Sequence, residues 1–340
     1  MTNVDAAPQA PAVIAAGAMP HDPPPTVQTT AITRALRQWY ERAGVRCDPR
    51  RLLRDESREG LSYWPADLAP FVAHPLVIER GPALREELLV RQLYQYLQFT
   101  ANYETRVINP ATELIANGRS GIALPASVRL DAFKIYCDEG YHALYSADAI
   151  EQVQAASRIE HRSSDFDATL RHLHDAQDQA PAHLRNIVTL LVAVVFETLV
   201  TATLTQIPRH RDVVSFVREI VTDHAHDEGR HHAFFSSFFS HLWGQLSPRD
   251  RRALGPLLPE FVVRPLAPQI GPLRHALACA GLRPAEVDRV VRETYPPELT
   301  RTTMRNTAKS TLKLFARHDL FDDPATREAF GERGLLAQAA

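Results

Sequence analysis

Cysteine is scarce in this 340-residue chain: Cys47, Cys137 and Cys279 are its three, and they stand far apart. That excludes a disulfide framework and a cysteine-based metal knuckle, and it fits a reducing compartment, the cytoplasm. An excess of one charge is also missing. Lys and Arg total 38 against 40 for Asp and Glu, a net charge of -2, which leaves no basic surplus for a phosphate backbone and argues against a nucleic-acid partner. Lysine itself is nearly absent, with only Lys134, Lys309 and Lys313, an imbalance that carries no mechanistic weight. Alternating apolar and polar residues of strand period are lacking, as is any short-period repeat.

Long hydrophobic runs amount to one. The segment from Ile187 to Gln206 is long enough to cross a bilayer, but it would place Glu197 near mid-membrane, a costly position for a carboxylate. A buried helix is expected instead, and no membrane partner. A helix apolar on all sides with one carboxylate belongs at the centre of a helical protein, where that carboxylate meets a cation. The first 30 residues hold Pro8, Pro11, Pro20 and the run Pro23 to Pro25, with no basic start before an apolar stretch. They read as a flexible Pro/Ala-rich tail rather than a signal peptide.

What remains, at 45% hydrophobic and 23% charged residues, suffices for a full core. Segments of helical period run from Arg85 to Asn109, Pro125 to Gln154 and Val213 to Trp243, with shorter ones at Thr30 to Gly44, Asp165 to Gln177, Pro284 to Glu293 and Arg305 to Arg317. The expectation is an all-α chain, one domain over 31–340 with its bundle core at about 83–245. Pro110 is expected to end or kink the first long helix.

The 20 Glu and 15 His would give a Glu-x-x-His string about once by chance, so a single copy means nothing. Two occur, and both sit in the same D-E-G-x-H string 89 positions apart: Asp138-Glu139-Gly140-Tyr141-His142 and Asp227-Glu228-Gly229-Arg230-His231. Residues three apart on a helix share a face, so each string offers one carboxylate and one imidazole to a common point. A bridged two-metal site needs one more carboxylate from each of two other helices. Glu104, 35 residues before Glu139, and Glu197, 31 before Glu228, supply them at intervals that suit antiparallel helix pairs. His224, four residues before Glu228, adds a third imidazole on the same face. Such an oxygen-rich set suits iron or manganese. Asp138 and Asp227, each beside a ligand, are candidates for orienting the imidazoles. His226 and His232 fall on the other side of the helix. Tyr103, Tyr136 and Tyr141 flank ligands and are expected in the core.

These residues resemble the di-iron arylamine N-oxygenases typified by p-aminobenzoate N-oxygenase, within the ferritin-like group. The resemblance spans about residues 65 to 245, through YETRVINP, CDEGYH, VVFETLV and HAHDEGRHH. The family pattern is a lone Glu, a Glu-x-x-His, a second lone Glu and a His-x-x-x-Glu-x-x-His. It falls here on Glu104, Glu139 and His142, Glu197, and His224, Glu228 and His231. The resemblance implies a ferritin-like four-helix bundle with extra N- and C-terminal helices and two iron ions. It further implies dioxygen as co-substrate, an external electron donor or reductase, a homodimer, and oxidation of a primary amine through hydroxylamine towards nitroso or nitro. The substrate would be a small-molecule amine or a carrier-bound aminoacyl group in natural-product biosynthesis. A C-terminal basic residue is expected to hold a substrate carboxylate, and Arg305 and Lys309 are the candidates. Oxidation at carbon and non-catalytic metal storage are the rival readings.

Overall fold

The computed structural model describes residues 27–54, 60–163, 165–199 and 204–336. Residues 1–26, most of the expected tail, lie outside these. Among the described residues there is no strand, only an isolated bridge between Ser62 and Val213. Helices follow in the order α1 (Val27–Arg34), α2 (Trp39–Arg42), α3 (Gly44–Cys47), α4 (Pro75–Ile78), α5 (Pro82–Tyr103), α6 (Asn109–Ala116), α7 (Ala126–Ser157), α8 (Asp167–Gln179) and α9 (Arg185–Leu199). They continue with α10 (Ser215–Gln245), α11 (Pro248–Leu254), α12 (Leu258–Leu266), α13 (Ile270–Cys279), α14 (Pro284–Thr294), α15 (Pro297–Thr307), α16 (Lys309–Ala316) and α17 (Pro324–Glu332). Many open on proline in the first turn, Pro75, Pro82, Pro248, Pro284, Pro297 and Pro324 among them, where the missing N–H is one of the donors a helix leaves unbonded anyway.

Four helices form the bundle: α5 packs on α7, and α9 packs on α10. Its interior is two apolar clusters with a seam between them. Along α5 the first cluster takes Leu88 to Leu97 and the second Tyr103; α7 runs from Val128 and Ile135 in the second to Ala149 and Val153 in the first. Helix α10 passes from Phe216 and Val221 to Phe234 and Phe239, so α5 and α7 are antiparallel and the polar residues of all three fall at the seam. Helix α9 is buried from Leu190 to Leu199, which agrees with an interior helix rather than a membrane span. Residues 200–203 lie outside the described set.

Several segments differ from the expectation. Thr30 to Gly44 is not one helix; its backbone breaks into α1, α2 and α3, with Val27 to Thr30 already helical. Arg305 to Arg317 is divided between α15 and α16 at Ala308. Pro110 does not end its helix; of the two expected outcomes it is the local distortion that is found. Glu104 to Ile108 form a π turn, in which the Asn109 N–H reaches back to the Glu104 carbonyl, and α6 continues beyond it. Proline has no N–H to offer the carbonyl four residues earlier, and the wider turn absorbs that missing bond.

Candidate metal centre

The seam gathers all seven proposed ligands. Glu104 comes from the π turn after α5, Glu139 and His142 from α7, Glu197 from α9, and His224, Glu228 and His231 from α10. Each is 2% exposed or less. They fall into two sets of four donors whose atoms lie within 4.8 Å of one another: Glu104, His142, His224 and Glu228 in one, Glu139, Glu197, Glu228 and His231 in the other. Glu228 belongs to both. Its Oε1 is 3.2 Å from His224 Nε2, 3.3 Å from His231 Nδ1 and 3.5 Å from His142 Nδ1. Glu139 lies 2.8 Å from His231 Nδ1 through one oxygen and 3.0 Å from His142 Nδ1 through the other.

A cation fits what these residues leave unmet. Both oxygens of Glu197 and of Glu228, one each of Glu104 and Glu139, His224 Nε2 and His231 Nδ1 are buried without a hydrogen bond. Orphaned polar atoms in an apolar interior are costly singly, and so many converging on one place mark a site built for metal ions.

Protons fill the role of cations in the metal-free chain. Burial and the neighbouring Glu139 raise the Glu104 carboxyl well above the carboxylate range; burial, Glu228 and Glu139 do the same to Glu197. Burial also works against the Glu139 and Glu228 anions, but the charge of His231 beside both holds Glu139 at about 2 and Glu228 well below its ordinary value. Burial disfavours the His224 and His231 cations, yet the acidic groups around them raise both well above an ordinary imidazole.

The two D-E-G-x-H strings brace one another crosswise. Asp138, on α7, accepts from His231 of α10 at 3.1 Å; Asp227, on α10, lies 3.2 Å from His142 Nε2 of α7. In both histidines Nε2 meets an aspartate and leaves Nδ1 facing the glutamates. Each aspartate is held in turn from the N-terminal segment. Trp39 Nε1 donates to Asp138 Oδ2 at 2.8 Å, and the Gly44 N–H, the unbonded first donor of α3, donates to Asp227 at 3.2 Å. A Cβ on Gly44 would stand 2.7 Å from Asp227 Oδ2, so the close approach needs glycine. Arg230 also donates to Asp227. Neither Trp39 nor Gly44 was visible from helical spacing, because they act across 99 and 183 residues of chain. Tyr96 is a further neighbour, its hydroxyl 3.5 Å from His224 Nδ1.

Other expected residues lie elsewhere. His226 is exposed and His232 half-buried, off the ligand face. Tyr103 is buried and stacks on Phe196 at 3.8 Å, but Tyr136 is 45% exposed, because helical phase turns it away from the seam, and does not belong to the core. Lys309 is exposed and Arg305 half-buried, and among the described residues no hydrogen bond or ion pair joins either to the cluster.

A helical bundle with this buried acidic and histidine pocket defines a metal-dependent protein. Residues 27–319 match the model of the p-aminobenzoate N-oxygenase AurF family, and the chain belongs to that family. The 4-aminobenzoate N-oxygenase of Streptomyces thioluteus is 25% identical over 277 residues, covering 75% of this chain and 82% of that relative. Family membership makes the chain an enzyme, an oxidoreductase of the N-oxygenase type.

Proposed function

We propose that this chain is a dioxygen-dependent di-iron N-oxygenase of a small primary amine. The observation that carries the reading is Glu228, one carboxylate common to two four-donor sets. Glu104, His142, His224 and Glu228 would hold one iron ion, and Glu139, Glu197, Glu228 and His231 the other. Bound at these residues, ferrous iron would supply the dioxygen activation and oxygen-atom transfer that oxidation of an amine nitrogen needs. For the first oxidation, amine plus dioxygen, two electrons and two protons gives hydroxylamine and water, with the electrons from an external donor.

The chain's own part is charge, orientation and exclusion of water. Four carboxylates match the four positive charges of two ferrous ions, and three imidazoles add neutral donors. Asp138 and Asp227 fix which nitrogen of His231 and His142 faces inward. Val194, Val195, Phe196, Leu199 and Phe234 are all buried in the second apolar cluster and keep the seam dry. An arylamine of the p-aminobenzoate kind is the substrate class the relative's name supports. Pairing of two chains and a separate reductase rest on the family resemblance, and a cytoplasmic setting on three unpaired cysteines.

The test is anaerobic reconstitution with ferrous iron, followed by dioxygen, a chemical reductant and a panel of primary amines. The expected result is two irons per chain and a product heavier by one or more oxygen atoms on nitrogen. Binding of fewer than two irons, or oxygen inserted only at carbon, overturns the reading.

A further inference from the structure

A groove outside the metal cluster runs between α5 and the C-terminal helices α12 to α15. It has two compartments, of about 470 and 510 Å³, which share Gln95 and Gln269. Either one exceeds the roughly 150 Å³ that holds a benzene ring. Phe99 lines the second compartment; its ring lies 4.9 Å from Tyr103 and 6.2 Å from Phe196, the residues that directly precede Glu104 and Glu197. Through Phe99 the groove therefore reaches the aromatic rings packed beside the ligand-bearing turns.

Helix α15 decides the chemistry of the groove. Thr300, Thr303, Met304 and Thr307 recur at helical spacing and face the first compartment. The cations of the same region do not line it: Arg301 pairs with Glu298, and Arg305 and Lys309 lie on other faces. Hydroxyls and the amides of Gln92, Gln95, Gln98 and Gln269 make up the polar lining, with the carboxylates of Asp67 and Asp165. No lysine or arginine lines either compartment among the described residues, and His275 is the imidazole at the far wall. Arg91 and Arg162 stand at the adjoining rim, where Glu87 and Glu160 engage them.

We propose that this groove is the substrate site and that it takes an amine whose remainder is uncharged and rich in hydrogen-bonding groups, such as amides, rather than an aminobenzoate carboxylate. The assignment rests on the N-oxygenase reading for the reaction, but not for the binding. A carboxylate placed there would lose part of its water without gaining a lysine or arginine from the lining and would meet a like charge, Asp67 in one compartment or Asp165 in the other. An amide of the same shape both donates to and accepts from the threonines and glutamines.

Calorimetry of the full-length, metal-free protein with the isosteric pair 4-aminobenzamide and 4-aminobenzoate tests this directly. The amide is expected to bind at least about tenfold more tightly, the effect of one well-made polar contact. In Thr303→Arg, and independently in Thr307→Lys, the preference should narrow or invert. Equal or tighter binding of the acid by the native chain, binding of neither, or an unchanged preference in both folded variants overturns the assignment. The readings fail separately: an iron-loaded protein that binds the amide in the groove but oxidises no amine sinks the N-oxygenase proposal and leaves the groove standing.

Discussion

Asp138 and His231 belong to different copies of the repeated string, yet they meet at 3.1 Å, and Asp227 meets His142 in the reciprocal way. Each string thus supplies the outer partner of the other string's ligand. Asp138→Asn should weaken the ion held through His231, and Asp227→Asn the ion held through His142, by about 10- to 100-fold each. Two-site metal titrations should show opposite sites failing in the two variants. Loss of the same site in both would refute the crossed arrangement.

His224 and His226 are two residues apart and should behave differently. His224→Ala removes a donor from the first set and should weaken that ion by at least the roughly 10- to 100-fold that loss of an outer partner costs. His226 is exposed, and His226→Ala should leave iron content and amine oxidation unchanged.

Gly44→Ala tests the N-terminal brace. The new methyl would press on Asp227 Oδ2 at 2.7 Å, with Asp48 Oδ2 at 2.8 Å on its other side. Destabilisation of about 1–3 kcal/mol is expected from the overpacking, read by denaturant unfolding. A selective loss at the His142 ion should accompany it. A thermodynamically native variant with intact metal binding would show that the brace is incidental.

Metal loading should release protons. Glu104 and Glu197 keep their protons to a pH well above the carboxylate range, and His224 and His231 well above an ordinary imidazole, so two divalent ions must displace protons from these groups. The sign follows: affinity should rise with pH until those groups titrate in the metal-free chain. Proton uptake by a weak indicator buffer measures the count, and metal binding without proton release would contradict the assigned charges.

Glu197 illustrates stability given up for function. Its two oxygens are buried in an apolar helix with no hydrogen bond. Glu197→Leu should abolish the second metal set and, in the metal-free protein, raise unfolding stability by about 1–3 kcal/mol, the cost of a buried polar group left without a partner. A less stable variant would mean that the carboxyl is satisfied in a way its surroundings do not show.

The parts of this molecule that follow helical arithmetic were legible in the sequence. Glu139 with His142, and His224, Glu228 and His231, are spaced by three and four on single helices, and their helices' apolar faces dictate that they converge at the seam. What was hidden depends on distance along the chain. Trp39 reaches Asp138 from an N-terminal stretch whose helical period suggested one continuous helix, although the backbone breaks twice before Gly44. Arg305 looked suited to an anionic substrate because composition shows a charge but not its direction; only the phase of α15, fixed by packing of Met304, shows that threonines face the groove.

The π turn at Glu104 to Ile108 sets two helical reading frames against each other. Each residue advances an α-helix by about 100°, and a turn closed one residue late shifts everything after it by that amount. Upstream of the turn the frame aims Glu104 into the seam; downstream it lays Ala111 and Ile115 on the apolar cluster. An unbroken α-helix of the same sequence would turn one half by about 100° relative to the other and could meet only one of these demands. A single-residue deletion among Thr105, Arg106 and Val107 would remove that extra step and let an ordinary α-turn carry the ligand and the core residues in the phase they hold now, so the alignment of the two halves is written in the length of this turn rather than in any one side chain.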